Sequence, residues 1–270
     1  MPEHSRRSLR ERLAPHPPKP PVASTSKAGR NLKAAIPTAL GLLALVAASV
    51  AIKMEIFIGL VAIALCVGLW EAAGAFLARE IRIPLTPLWI GTVTMVVATW
   101  TGGPAAGMVA ILLTGAAVFV WRILDGIDRA PRDAMAAIFA LAWISLLGCF
   151  AVALAAMPQA PWMIALLVMM PVANDTGGWA FGVMWGKHPM SQSISPKKSW
   201  EGFAGSMVAA VVVALLIVTL GMGLPWYVAL LVAVAAVLCS TIGDLSESLL
   251  KRDLGVKDLG SIFPGHGGML

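Results

Sequence analysis

Residues 56–78 read IFIGLVAIALCVGLWEAAGAFLA, 23 residues with one charge, Glu71. At about 1.5 Å per residue such a run spans about 34 Å as a helix, and a bilayer core needs roughly 20 apolar residues. The apolar side chains run on without alternating, which excludes a strand of a membrane β-barrel. Seven more runs of this kind occur, at 36–52, 85–100, 105–121, 134–157, 162–185, 203–221 and 226–242. Gly- and Pro-containing breaks separate them, for example Thr101-Gly102-Gly103-Pro104, Met157-Pro158-Gln159 and Gly221 to Pro225. Only 13% of the 270 residues are charged and 59% are hydrophobic, with a mean hydropathy of +0.83. A soluble domain carries roughly 25% charged residues, so a Rossmann or soluble barrel fold is excluded. The expected fold class is all-α, a polytopic integral membrane protein with about eight transmembrane helices.

Residues 1–33 differ from everything that follows. They hold eight Lys or Arg, five prolines between Pro15 and Pro21, and few large apolar side chains, the composition of a disordered basic tail. This tail is too long for the n-region of a secretory signal. The expected organisation is the tail at 1–33, helices one to five at 34–157, and helices six to eight with their loops at 158–270. Cys66, Cys149 and Cys239 lie inside apolar runs without CxxC spacing and read as packing residues.

Orientation follows from charge. With the N-terminus inside, 19 of the 20 Lys and Arg fall on inner segments and only Lys53 falls outside. Cytoplasmic excess of Lys and Arg sets membrane topology, so both termini are expected in the cytoplasm. The outer turns are too short for a domain, which assigns any chemistry to the inner face.

Three stretches could carry that chemistry. In the sixth run Asp175 is the only charged residue between Pro161 and Gly186. On a helix Asp175, Gly178, Gly182 and Gly186 fall within about 60° of one another. The glycines alone would suit a close helix contact. A carboxylate at membrane depth costs at least about 2.5 kcal/mol and by default marks function. The second stretch, Ser191 to Gly202, places Lys197 and Lys198 after a Ser195-Pro196 turn. Such lysines suit a phosphate, or equally the anionic lipid surface. In the third, Asp244, Ser248 and Lys251 share a face if the last helix runs on to Gly255. A carboxylate at the water interface beside Lys251, Arg252 and Lys257 suits a Mg²⁺-phosphate arrangement, because Mg²⁺ takes one or two protein carboxylates and completes its shell from substrate. The Pro264-Gly265-His266-Gly267-Gly268 turn allows backbone N–H groups to approach an anion. His266 alone is a weak metal-ligand candidate. No Walker loop, HExxH or GxSxG motif occurs.

In order and spacing, Ser248-Leu249-Leu250-Lys251-Arg252, Lys257-Asp258 and Pro264 to Gly268 resemble the signature of phosphatidate cytidylyltransferases. Asp175-Thr176, Gly186-Lys187 and Ser195 to Gly202 are similar to that family's other conserved stretch. The resemblance covers about the last hundred residues and implies a bacterial inner-membrane enzyme, active on its cytoplasmic face. It would join CTP to phosphatidate with Mg²⁺, releasing pyrophosphate and forming CDP-diacylglycerol. The residues it implies are Asp244, Lys251, Arg252, Lys257, Asp258 and His266 for catalysis. Lys187, Ser195, Lys197, Lys198, Glu201 and Ser248 would bind substrate, and Asp244 with Asp175 would bind metal. Expected partners are CTP, phosphatidate and membrane lipids, with no nucleic acid and a homodimer left open. One departure stands out: the family continues past the HGG turn with Asp-Arg-x-Asp, whereas this sequence stops at Met269-Leu270. The expectation is a truncated sequence or half a metal site, and no activity in this form. Two other readings stay open. A transporter or channel would use Asp175 and Glu71 as coupling groups, although no inverted repeat is visible. A CTP-dependent lipid kinase would keep the nucleotide and change the acceptor.

Overall fold

The computed structural model describes residues 15–18, 32–191, 195–256, 258–260, 262 and 268–270. The expected disordered tail lies almost wholly outside them. The order of elements is α1 (Leu32–Ile52), α2 (Met54–Leu77), α3 (Leu85–Asp125), α4 (Ala130–Ala155), α5 (Ala160–Trp185), β1 (Pro189–Ser191), β2 (Ser195–Ser199), α6 (Trp200–Gly221) and α7 (Trp226–Leu254). The protein is predominantly helical, with one correction to an all-α reading: β1 and β2 pair antiparallel, Pro189 opposite Ser199.

Among the described residues five helices are long and apolar enough to cross a membrane: α2, α3, α4, α6 and α7. Ile36–Ile52 is apolar but shorter. Helix α5 has the length, but its Asn174-Asp175-Thr176 turn dilutes its apolar character. The 41 residues of α3 are two helical stretches joined at Gly103, which has φ +78° and ψ −178°. Glycine takes that conformation without a Cβ clash, and Pro104, lacking an N–H, starts the next stretch.

Two compact units form, Met1–Ala153 with Leu254–Leu270, and Leu154–Asp253. In the first, Leu69, Leu88, Met95, Val118, Leu141 and Val152 are fully buried. Thr92 and Ser145 satisfy each other inside it at 2.7 Å. Ser145 sits in a π-helical turn, Leu141–Leu146, where an extra residue is accommodated within α4. At one end of this unit Arg122, with only 12% of its side chain exposed, pairs with the buried Asp133 at 2.8 Å. Asp133 Oδ1 also accepts from the Arg82 backbone N–H at 3.0 Å, tying the α2–α3 connection to the first turn of α4. Nearby Glu80 adopts a left-handed φ of 59°, and its carboxylate pairs with Arg129 at 2.6 Å. The hydrogen bond from Arg129 holds Glu80 below the usual carboxylate range.

In the second unit α5, α6 and α7 pack around Met170, Ala210, Ala214, Val218, Ala229, Ala233 and Val237. The predominance of alanine follows from close approach of helices. The α5–α6 seam is tighter still, because a Cβ on Gly205 would lie 2.6 Å from the Gly177 carbonyl oxygen and would collide with Phe181. The stripe that includes Gly178 and Gly182 is a helix contact, met by Gly202 and Ser206 of α6. Gly205→Ala is expected to cost about 1–3 kcal/mol, the usual penalty of overpacking a fitted core, read as a lower Tm in detergent.

Candidate active site

Two of the three chemically suggestive stretches meet in the second unit. Helix α5 ends at Trp185, and the chain turns through Gly186 and Lys187 into the β1–β2 hairpin. Glu201, in the first turn of α6, closes this turn. Its Oε2 accepts the backbone N–H groups of Lys187 at 3.1 Å and His188 at 3.2 Å, and Oε1 lies 2.6 Å from His188 Nδ1. Ser199 caps α6 by accepting from the Gly202 N–H at 3.1 Å, and the Trp200 N–H donates to the His188 carbonyl. The hairpin is thus fastened at its base from both sides. Glu201, expected at a substrate contact, has a carboxylate committed to this fastening.

The hairpin delivers Lys198 to α7. Lys198 Nζ stands 2.5 Å from Asp244 Oδ2, across 46 positions of sequence. The pair is half-solvated, with 32% of the lysine and 44% of the aspartate side chain exposed. Such pairs are worth only about 0–1 kcal/mol. Exchanging that contact for a substrate phosphate or a cation therefore costs little. One turn further along α7, Lys251 pairs with Glu247, spaced i, i+4. Helix α7 runs on to Leu254 and Gly255 ends it with φ +72°, so Asp244, Ser248 and Lys251 do share one helix. Lys251 and Arg252 occupy the last turn, where the helix dipole favours cations.

The other expected residues are distributed as follows. Asp175 is exposed on α5, with Oδ1 accepting from Asn174 Nδ2 at 3.1 Å. Lys187 and Arg252 are exposed and Ser248 is half-buried. Asp258 is exposed and belongs to the first unit. Lys257 and His266 lie outside the described residues, as do the side chains of Ser195 and Lys197 on β2. His188 and Glu247 were missed. A histidine next to Lys187 and a glutamate four residues before Lys251 were the available signals.

Among the described residues no three of His, Cys, Asp or Glu stand together as a metal cage. Asp244, one half-exposed carboxylate beside an ammonium, fits instead a Mg²⁺ that takes a single protein carboxylate and fills its shell from phosphates.

Comparison with known proteins gives this arrangement its context. The model of the cytidylyltransferase family matches residues 33–270. The chain belongs to this family. The phosphatidate cytidylyltransferase of Mycobacterium bovis is 36% identical over 266 residues, covering 93% of this chain and 86% of the relative. That of Mycobacterium tuberculosis is 36% identical, covering 93% and 80%. That of Mycobacterium leprae is 37% identical over 272 residues, covering 92% and 84%. The family match takes in both units, and so includes the helices at 34–157, which motif reading alone compared only in general character.

Proposed function

We propose that this cytidylyltransferase transfers the cytidylyl group of CTP to phosphatidate, giving CDP-diacylglycerol and pyrophosphate. An oxygen of the lipid phosphate attacks the α-phosphorus of CTP in line. A P–O bond forms there as the bond to the β-phosphate oxygen breaks, and pyrophosphate leaves with that electron pair. Little covalent chemistry falls to the protein, which positions two polyanions and offsets their repulsion. Lys198, Lys251 and Arg252 supply positive charge, joined by Lys197 and Lys257 from the same two motif stretches. Asp244 would hold Mg²⁺, with Asp175 the second candidate, and the metal when bound neutralises phosphate oxygens and orients them. Asp258, His266, Lys187, Ser195, Glu201 and Ser248 complete the proposed set, Glu201 by fixing the turn that carries Lys187.

The observation that carries this reading is the Lys198–Asp244 pair, a cation and a carboxylate drawn from the two motif-bearing stretches onto one spot. Release of pyrophosphate that depends on phosphatidate tests it. A transporter is not favoured, because Glu71, its best coupling group, accepts two backbone hydrogen bonds from residues 269 and 270.

Counting α3 as two spans across the Gly103 break, and adding α1 and α5, supports eight crossings. From this count and the 19-to-1 division of Lys and Arg we infer that both termini and the reaction lie on the cytoplasmic face of a bacterial inner membrane, where the acyl chains stay in the bilayer. Thr101→Cys and Gln159→Cys are expected to react with an impermeant thiol reagent added to intact cells, and Asp258→Cys only after lysis. Labelling at position 258 in intact cells would invert the topology.

A further inference from the structure

An apolar groove of about 480 Å³ runs between α5, the end of α6 and α7, wholly within the second unit. On α7 it is lined by Val228, Val232, Ala236 and Ser240, a stripe at i, i+4 spacing, whereas Ala229, Ala233 and Val237 beside them are fully buried in the core. Leu167 and Pro171 line it from α5, where the proline ring crowds the Leu167 carbonyl and works against a straight helix. The groove opens to the outside of the unit, since Leu167 is 41% exposed and Cys239, also on its wall, is exposed. One end meets the candidate site. Ser240 precedes Asp244 by four residues, about 6 Å along the helix axis and about 40° round it. Asp244 in turn holds the Lys198 ammonium at 2.5 Å. From Ser240 to Val228 is about 18 Å along the axis, and one leaflet of a bilayer core is about 15 Å deep, so the groove has the length of one lipid chain.

We propose that this groove holds one acyl chain of phosphatidate while the lipid's phosphate lies at Lys198. The proposal rests on the function given above and places the lipid half of that site. Charge selects the occupant. A phosphate monoester one helical turn beyond the groove brings negative charge to Lys198 and to Lys251 and Arg252 in the last turn of α7. A zwitterionic lipid with the same chains brings no net charge there. Contacts along the chain, remote from the phosphorus, then serve to hold the attacking oxygen in place.

The native cysteines supply the test. Cys239 lines this groove, and Cys66 lines a separate apolar groove of about 820 Å³ in the first unit. In detergent micelles, dioleoyl phosphatidate near saturation is expected to slow modification of Cys239 by a membrane-permeant maleimide at least about fivefold, leaving Cys66 within about twofold. Phosphatidylcholine and phosphatidylglycerol with the same chains should slow Cys239 less than about twofold. Lys198→Ala should raise the phosphatidate needed for half protection at least about tenfold, the size of one charge-assisted hydrogen bond. Equal protection by all three lipids, equal protection of Cys66, or no protection by phosphatidate would overturn the proposal. A second arm uses protein carrying the Asp-Arg-x-Asp segment that the family places after the HGG turn. There Val232→Phe, which fills the groove, should raise KM for dioleoyl phosphatidate about tenfold, the size of two buried methylenes, with KM for CTP unchanged. Dihexanoyl phosphatidate, whose chains end short of position 232, should show no difference, and an equal rise for both lipids would overturn the placement of the chain. A protein that makes no cytidylyl lipid but in which phosphatidate still shields Cys239 refutes the functional reading and keeps the groove. One that makes the lipid without such shielding refutes the groove alone.

Discussion

In protein carrying the Asp-Arg-x-Asp segment that the family places after the HGG turn, Asp244→Asn is expected to lower turnover by on the order of 10² to 10³-fold, the loss that follows removal of a preorganised charge-stabilising group. The substitution keeps the size of the side chain and an oxygen that Lys198 can still donate to, so α7 and the hairpin stay where they are. What it removes is the charge that would hold Mg²⁺ against two phosphate-bearing substrates. The defect should therefore appear as a higher Mg²⁺ requirement together with a fall in kcat, with the thermal transition in detergent unmoved. Lys198→Ala should be milder, about 1.5–3 kcal/mol in kcat/KM for one charge-assisted hydrogen bond to phosphate. The double variant should lose less than the sum of the two, because the pair is in contact. Full activity in Asp244→Asn would end its assignment to the metal.

Asp133→Ala is the substitution expected to cost most in stability, about 3–5 kcal/mol, the price of breaking a buried ion pair by removing one partner. It leaves the Arg122 guanidinium, only 12% exposed, without its 2.8 Å partner, and leaves the Arg82 backbone N–H without its acceptor. Arg122 Nε already lacks a partner among the described residues, and Asp125 at 3.7 Å is a weaker substitute. Combining Asp133→Ala with Arg122→Leu should recover most of the loss, since an apolar replacement of the whole pair leaves no stranded charge. The measurement is the unfolding midpoint of the detergent-solubilised protein. A double variant no more stable than Asp133→Ala alone would show that the carboxylate acts mainly through Arg82.

Helices were legible wherever apolar residues run without interruption, and the Gly103-Pro104 break was legible because both residues carry a backbone constraint. The extension of α7 to Leu254 entered the sequence reading only as a condition, since the apolar run stops at Ile242, and Gly255 with its positive φ ends the helix there. The β1–β2 hairpin was not legible. Its strands of three and five residues contain Pro189, Pro196 and two lysines, and show no two-residue alternation. Nor were the π turns at Leu141–Leu146 and Leu215–Gly221, whose residues are ordinary helix formers. At the site, Asp244 and Lys198 could each be nominated by charge and position, but their pairing depends on how a hairpin packs on a helix 46 residues later. Glu71 presented the same difficulty over a longer distance. Its charge marked it as exceptional, and its partners are backbone groups, which leave no trace in composition.

The central claim is that the α-phosphorus of CTP goes to phosphatidate, and the position of a radioactive label in CTP tests it most directly. Purified protein carrying the Asp-Arg-x-Asp segment that the family places after the HGG turn, incubated with phosphatidate, Mg²⁺ and CTP labelled at the α-phosphate, is expected to yield a labelled lipid, while CTP labelled at the γ-phosphate yields labelled pyrophosphate and no labelled lipid. Label from the γ-position in the lipid would identify a kinase, and no labelled lipid from either would contradict the account.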